Sequence, residues 1–428
     1  MSKGALNRRT VLAGMGAVSA AGALAACGGG SGTGGGSGGD GKLEFQQWWE
    51  PELPEGFLRE LMDEFEAAND GITVELLSGP YAATKEQLIA GAASRTMPDV
   101  MGLDGAWVHD LATQNALADL DQLMSDASYD DGELAAKVEV DGATRMIPVA
   151  NFAYMLFMNL KALNAAGIDA PPATREDFLA AAKAAVDADP NVAGWALPLS
   201  LEAPNGVQND VMSWLWADGQ SMLSDGAPAL ESDAVASVLD FIVDLNDQGL
   251  IASGSSTMKE QDKVEEFSSG RVAMIVDTVA HVNMFRTNSP DLEFQVAAMP
   301  SATGEVDAPG VTYGSWGIGV AEASENKEAA WKLVQFLMSE DVNARMATAA
   351  NAFPGNSVAV PDGVEDDEVT KTAFEVWQAG TPVNEFVGLP VAEQLMRDFA
   401  EQLQKTLEGS QDVAQALTAA QEAWSAEL

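Results

Sequence analysis

Cysteine occurs once in this chain of 428 residues, at Cys27, and histidine twice, at His109 and His281. A single cysteine builds no internal disulfide, and once it is used at a processed N-terminus no thiol remains for catalysis or metal binding. Two histidines far apart, with no His-Glu-x-x-His and no Cys/His cluster, exclude the usual zinc patterns, and no metal or cofactor is expected. Positive charge is scarce as well: 22 Lys and Arg stand against 65 Asp and Glu, a net charge of −43. Such a surface repels nucleic acid and anionic headgroups, which excludes both as partners through charge. Outside the glycine run 28–41, no serine sits in a G-x-S-x-G pattern. The glycines of YGSWGIG (313–319) precede a strand rather than open a helix, so they form no dinucleotide fingerprint. The acidic run Glu365-Asp366-Asp367-Glu368 lacks the spaced ligands and glycine of a calcium loop. A long apolar run, MIPVANFAYMLFMNL (146–160), is too short and interrupted to span a membrane.

What is present begins at the N-terminus. Lys3, Arg8 and Arg9 precede an apolar, small-residue segment from Val11 to Ala26, the layout of an export signal. Arg8-Arg9-Thr10-Val11-Leu12 resembles a twin-arginine signal, and Leu24-Ala25-Ala26-Cys27 resembles a bacterial lipobox in which Cys27 is lipidated and becomes the first mature residue. GGGSGTGGGSGGDG (28–41) has no apolar residue to bury and reads as a flexible tether with a reach of roughly 20 Å. The expected order is a signal at 1–26, a lipidated cysteine and tether at 27–41, and a folded body beyond, held to the outer face of the cytoplasmic membrane by its lipid. With 47% hydrophobic residues and ten tryptophans that body is globular despite its charge, and long enough for two lobes.

Along the body, KLEFQQW (42–48), ITVELL (72–77) and 98–103 read as strands. Between them lie the amphipathic stretches 57–69 and 84–93. That βαβαβ order is the signature of a parallel α/β sheet. Helices are expected at 107–117, 120–125, 174–187, 210–217, 232–247, 326–339, 370–378 and 391–428. Further strands are expected at 146–160, 271–279, 292–300 and 316–322. Strands cluster early and again late around a helix-rich block, so the chain leaves one sheet and returns to it.

Several stretches in this order resemble the extracellular solute-binding proteins of sugar-uptake ABC transporters, the group that includes maltose-binding proteins. They are Met97-Pro98-Asp99-Val100 with Asp104 and Trp107, Ile147-Pro148 leading to Phe157-Met158-Asn159-Leu160-Lys161, WLWADG (214–219), FSSGRVAM (267–274) and SENKEAAWKLVQFLMS (324–339). Met158-Asn159 departs from the family's usual tyrosine-asparagine pair. The resemblance covers the whole mature chain. It implies an α/β, two-lobed periplasmic-binding-protein-like fold, with lobe 1 at 42–150 and 278–333, lobe 2 at 151–277 and 334–428, and a hinge between them. It further implies a monomeric, non-enzymatic component that closes on a carbohydrate and passes it to permease subunits in the membrane. Two alternatives stay open: a secreted lipoprotein glycoside hydrolase, since 65 acids always offer some carboxylate pair, and the same fold holding a polyol, cationic or peptide-like solute.

In open α/β sheets ligands sit beyond the carboxyl ends of the strands. That rule selects Trp48, Trp49 and Glu50 after the first strand, Asp104 and Trp107 after the third, Asn151 and Tyr154 after Pro148, Asp277 after the strand at 271–276, and Tyr313, Ser315 and Trp316 before the strand at 316. Sugars need this mixture of flat rings for their C–H faces and of carboxylates or amides for their hydroxyls. Asn209 is added as a contact or a helix cap. Trp214 joins because it and Trp216 do not face one core together. Asp104 doubles as a potential helix cap, and Asp277 as a turn residue. Trp331 and Trp424 read as core. The positions are almost all neutral or acidic, with only Arg145 and His281 as nearby bases, which disfavours an anionic solute.

Overall fold

The computed structural model describes residues 41–428 apart from Ala308; the expected signal, Cys27 and the tether up to Asp40 lie outside the described residues. Strand β1 (Lys42–Gln47) pairs in parallel with β2 (Thr73–Ser78) on one side and with β3 (Val100–Leu103) on the other. The helices Phe57–Ala68 and Tyr81–Ser94 make the crossovers. The first crossover buries Leu58, Leu61, Met62 and Phe65, the i, i+3, i+4, i+7 stripe that packs an amphipathic helix on a sheet.

The architecture turns on two long strands. After the short β4 (Val138–Val140), β5 runs without a break from Ala143 to Asn159. Its first part pairs with β11 (Gly310–Val320) in the first sheet, with Ile147 opposite Ile318. Its last part pairs with β9 (Val272–Thr278) and β10 (Phe294–Ala297) in a second sheet, which β6 (Ala193–Trp195) extends. A small hairpin of β7 (Leu223–Ser224) and β8 (Ala227–Pro228) stands apart. Strand β11 runs between the two cores too: Gly310–Thr312 pair with β13 (Thr381–Val383), Tyr313–Trp316 with β5, and Gly317–Val320 with β3. A third passage is β12 (Phe353–Pro354), which pairs with Asn151 and Ala150.

Three crossings at 150–154, 313–316 and 353–354 therefore join two lobes. Side chains tie them together: Asn151 Nδ2 donates to the Pro354 carbonyl at 3.1 Å and Asn343 Nδ2 to the Val149 carbonyl at 2.9 Å. Each lobe has its own core. Phe45, Trp49, Met101, Ile318, Trp331 and Met346 belong to the first. In the second lobe the strand alternation of β5 sends Leu156 and Met158 to one face, and Met155 and Phe157 to the other.

This packing divides the chain elsewhere than at 278 and 333. Residues 279–297 stay with the second lobe, because Phe285 folds back onto Phe157 and Phe294 at 5.8 and 5.6 Å. The passage home is made by β11. The helix Glu340–Ala350, absent from the sequence reading, stays with the first lobe through Val342 and Met346. The expected helix 391–428 is two, Ala392–Leu407 and Val413–Glu427. They are separated at Gly409, whose φ is +73°, and the second starts on a capping box from Asp412 to Gln415.

Candidate ligand-binding cleft

Strands β1 and β3 are paired in parallel and end side by side, and the chain leaves them through aromatic and acidic residues. Trp48 and Trp49 follow the last residue of β1, and their rings meet edge-on at 6.1 Å. Trp49 is fully buried, stacked on Trp316 at 5.7 Å with an interplanar angle of 10°, and set edge-on to Phe45. A Cβ on Gly102 of β3 would stand 2.9 Å from Gln47 Cβ and 3.2 Å from the Trp49 ring, so that position requires glycine. Trp48 instead meets Trp107 at 5.1 Å and Tyr81 at 5.3 Å, and these two rings lie 4.7 Å apart. The three form one aromatic platform in which Trp48 and Trp107 are buried, 4% and 2% exposed, and Tyr81 keeps 43% of its surface exposed.

Carboxylates flank the platform. Asp104 caps the helix Gly105–Thr113, accepting from the Ala106 amide at 2.9 Å, and also accepts from the Tyr81 hydroxyl. Cap and platform partner are thus one residue. Burial pushes the Asp104 carboxyl above its usual range against these two donors and nearby Lys85. Burial of the Tyr81 hydroxyl, with Asp104 beside it, raises the phenol far above its ordinary value. Glu50 opens the short 3₁₀ turn Glu50–Glu52 that Pro51 stiffens; its amide donates to Gln47 Oε1 at 2.9 Å, and its carboxylate accepts from the Ser78 hydroxyl.

The hinge carries Asn151, Ser315 and Trp316. Asn151 is fully buried with Oδ1 lacking a partner, Ser315 lies opposite it, and Phe152 meets the Trp316 ring edge-on at 5.2 Å. Tyr313 is 5% exposed and faces Trp377 in the second lobe's core. Across the hinge, Tyr154, Asn209 and Asp277 gather around the buried Lys263 near the carboxyl end of β9. Tyr154 donates to Glu260, Asn209 Nδ2 lies 3.3 and 3.4 Å from the Glu260 oxygens, and Asp277 takes His281 Nδ1 at 3.0 Å. Burial and the surrounding acids hold the Tyr154 phenol well above its ordinary value.

Trp214 is not with them. It is fully buried between Phe178, Phe241 and Trp195 at 4.9, 4.8 and 5.8 Å, inside the second lobe's core. Trp216 is buried too, its indole N–H donating to Glu385 at 2.7 Å. Trp331 and Trp424 are core residues. The structure adds Tyr81, which opens a helix three residues beyond the end of β2 and so falls under the strand-end rule although the sequence reading does not select it, and Glu260, which opens a helix that no strand directly precedes. A lone tyrosine after Pro80, in a chain with four tyrosines, was the available signal for the first. A cavity of about 500 Å³ bordered by Asn159, Ser268, Gly270, Asn288 and Asp291 lies at the amino end of β9, away from this constellation.

Known proteins agree with this architecture. A binding protein of Arthrobacter globiformis named for cyclic alpha-maltosyl-1,6-maltose superimposes with a TM-score of 0.78 at 23% identity, covering 91% of this chain and 99% of that one. The sugar-binding protein MalE of Xanthomonas citri gives 0.76 at 18% identity, covering 90% and 96%. At these identities the likeness shows the two-lobed fold. A Brucella abortus (strain 2308) protein named only as a binding protein is 27% identical over 307 residues, 70% of this chain and 72% of that one. Residues 60–374 match the family described as bacterial extracellular solute-binding protein, and with that match spanning most of its length the chain belongs to this family.

Proposed function

We propose that this protein is the lipid-anchored receptor of an ABC importer, binding a sugar or oligosaccharide between its lobes and delivering it to the permease. The observation that carries the reading is the Tyr81–Trp48–Trp107 platform with Asp104 and Glu50 beside it at the carboxyl ends of β1 and β3. A pyranose offers an apolar C–H face to such rings and hydroxyls to such carboxylates. The names of the A. globiformis and X. citri proteins, both sugar binders, support the same class. Lipid anchoring rests on the lipobox-like Leu24-Ala25-Ala26-Cys27 and the glycine-rich tether, and export on Arg8-Arg9 with the apolar run behind it.

Binding works through closure. A solute seated on the platform favours the closed arrangement only by contacts it makes with the second lobe as well, where Tyr154, Asn209 and Asp277 wait. No bond of the solute need break. A thermal-shift screen with neutral maltose-type and cyclic oligosaccharides tests this: one of them raises the melting temperature by mass action, and Tyr81→Ala or Trp48→Ala removes the rise. If no saccharide shifts the transition at millimolar concentration, the sugar reading fails. Release of shortened products on incubation would overturn the non-catalytic one.

A further inference from the structure

The second lobe holds a cluster of charged side chains around a buried lysine. Lys263 is fully buried; its ammonium lies 3.2 and 3.1 Å from the two Asp210 oxygens and 2.5 Å from the Val276 carbonyl. An ammonium has three N–H donors, so Lys263 is fully used. Asp277 is taken by His281 at 3.0 Å. Glu260, the first residue of the helix Glu260–Ser268, is different: among the described residues it has no cation within ion-pair distance, Lys263 and His281 act on it only through space, the Tyr154 hydroxyl lies beside it, and the Asn209 amide donates to it at 3.3–3.4 Å.

Asn209 supplies an independent pointer. It is 2% exposed, and its Oδ1 is buried with no donor. The amide cannot be turned to cure this, because Oδ1 would then face the Glu260 carboxylate. The residue sits in a π-helical turn, Val207–Val211, a rare form concentrated at functional sites. The turn is pinned at Gly206, where a Cβ would stand 1.7 Å from the Pro198 carbonyl. The cluster therefore has acceptors in excess and every cation committed.

We propose that Glu260 is a ligand-binding residue of the second lobe and that the solute carries a protonated amine among its hydroxyls, as an amino-sugar does. This rests on the saccharide reading and narrows it. A hydroxyl brings one donor and no charge. An ammonium brings three donors and the positive charge that Glu260 lacks, and one of those donors answers Asn209 Oδ1.

Calorimetric titrations of the mature protein with three probes of equal length decide it: a glucosamine trimer, its fully N-acetylated form, and maltotriose. Expected is an amine affinity at least about tenfold above the acetylated form at low salt, a ratio that shrinks in 0.5 M salt as ion pairs are screened. In Glu260→Gln the ratio falls to near one. Equal binding of amine and acetylated probes overturns the proposal and leaves the sugar reading standing, as does binding of maltotriose alone. Binding of none of the three overturns both. A ratio unchanged in a Glu260→Gln protein with the wild-type circular dichroism spectrum also overturns it. If that variant does not fold, the salt dependence of the wild-type ratio decides, and a salt-independent ratio refutes the ion pair.

Discussion

The segment Asn384–Leu389 makes a testable link between the lobes. Phe386 enters the second lobe's core beside Trp424, while the next residue, Val387, packs on the first lobe's core. The Gly388 amide donates to the Gly105 carbonyl at 3.2 Å. Gly105 has no room for a methyl: a Cβ there would stand 2.6 and 2.8 Å from the two Val387 methyls and 3.2 Å from its Cβ. Turning χ1 of a valine exchanges its methyls without clearing both, so Gly105→Ala must push the whole segment outward. Overpacking of this kind costs about 1–3 kcal/mol. The cost falls only on the arrangement in which the second lobe seats on the first, so where that arrangement is the one that holds the solute, the dissociation constant rises by roughly 5- to 150-fold. Calorimetry with the saccharide giving the largest thermal shift reads this directly. Val387→Ala on the Gly105→Ala background removes the colliding methyls and should restore most of the affinity, a coupling that a double-mutant cycle isolates. An unchanged dissociation constant together with a lower melting temperature of the unliganded protein refutes the reasoning, because the contact then belongs to the resting molecule.

Trp49→Ala, which empties a fully buried and stacked site, should cost about 3–5 kcal/mol in urea unfolding. Trp48→Ala should cost less stability and more of the ligand-induced thermal shift, so reversed effects would exchange their roles. Lys263→Met leaves the fully buried Asp210 without its ammonium and should destabilise by about 3–5 kcal/mol, while Lys263→Met with Asp210→Leu regains much of the loss; additive effects in the pair would refute a coupled salt bridge. Burial opposes charge on His281, but the bond to Asp277 and its negative charge outweigh burial and hold the imidazole above its ordinary value. Folded His281 thus binds its proton more tightly than unfolded His281. The stabilisation is complete below the ordinary histidine value of about 6.5 and is lost as pH rises through the raised one. Melting temperature followed across pH 5–9 should show this decline, and His281→Gln should flatten it.

The order of strands and helices was legible because each carries its own period. The i, i+3, i+4, i+7 stripe of 57–68 and the all-buried β3 need nothing beyond their own residues. The lobe boundaries were not, because they depend on which partner a strand finds. MIPVANFAYMLFMNL reads as one buried strand, and it is one, yet half of it serves each sheet. Nothing in its composition marks the crossing near Asn151. Likewise Val279, Val282 and Phe285 are apolar enough for either core, and only the contacts of Phe285 with Phe157 and Phe294 assign them.

The site divides along the same line. The strand-end rule finds side chains fixed by backbone direction, which is why Trp48, Asp104 and Asp277 fall at the ends of β1, β3 and β9. It does not find a group on a helix that no strand directly precedes, and Glu260 arrives that way; Tyr81, three residues beyond β2, lies within its reach. Nor does it separate two tryptophans adjacent in sequence. Both follow the last residue of β1 with their rings touching at 6.1 Å, so strand alternation does not say which of them goes inward. That choice is made by Gly102 and Trp316: the missing side chain on β3 opens a slot, and the indole of Trp316 closes it from the hinge side. Trp49 fills the slot, so Trp48 is left for the platform. Since Trp316 belongs to a crossing strand, the ring beneath the platform leans on the hinge itself, and closing the lobes must carry the Trp49–Trp316 stack along or shear it.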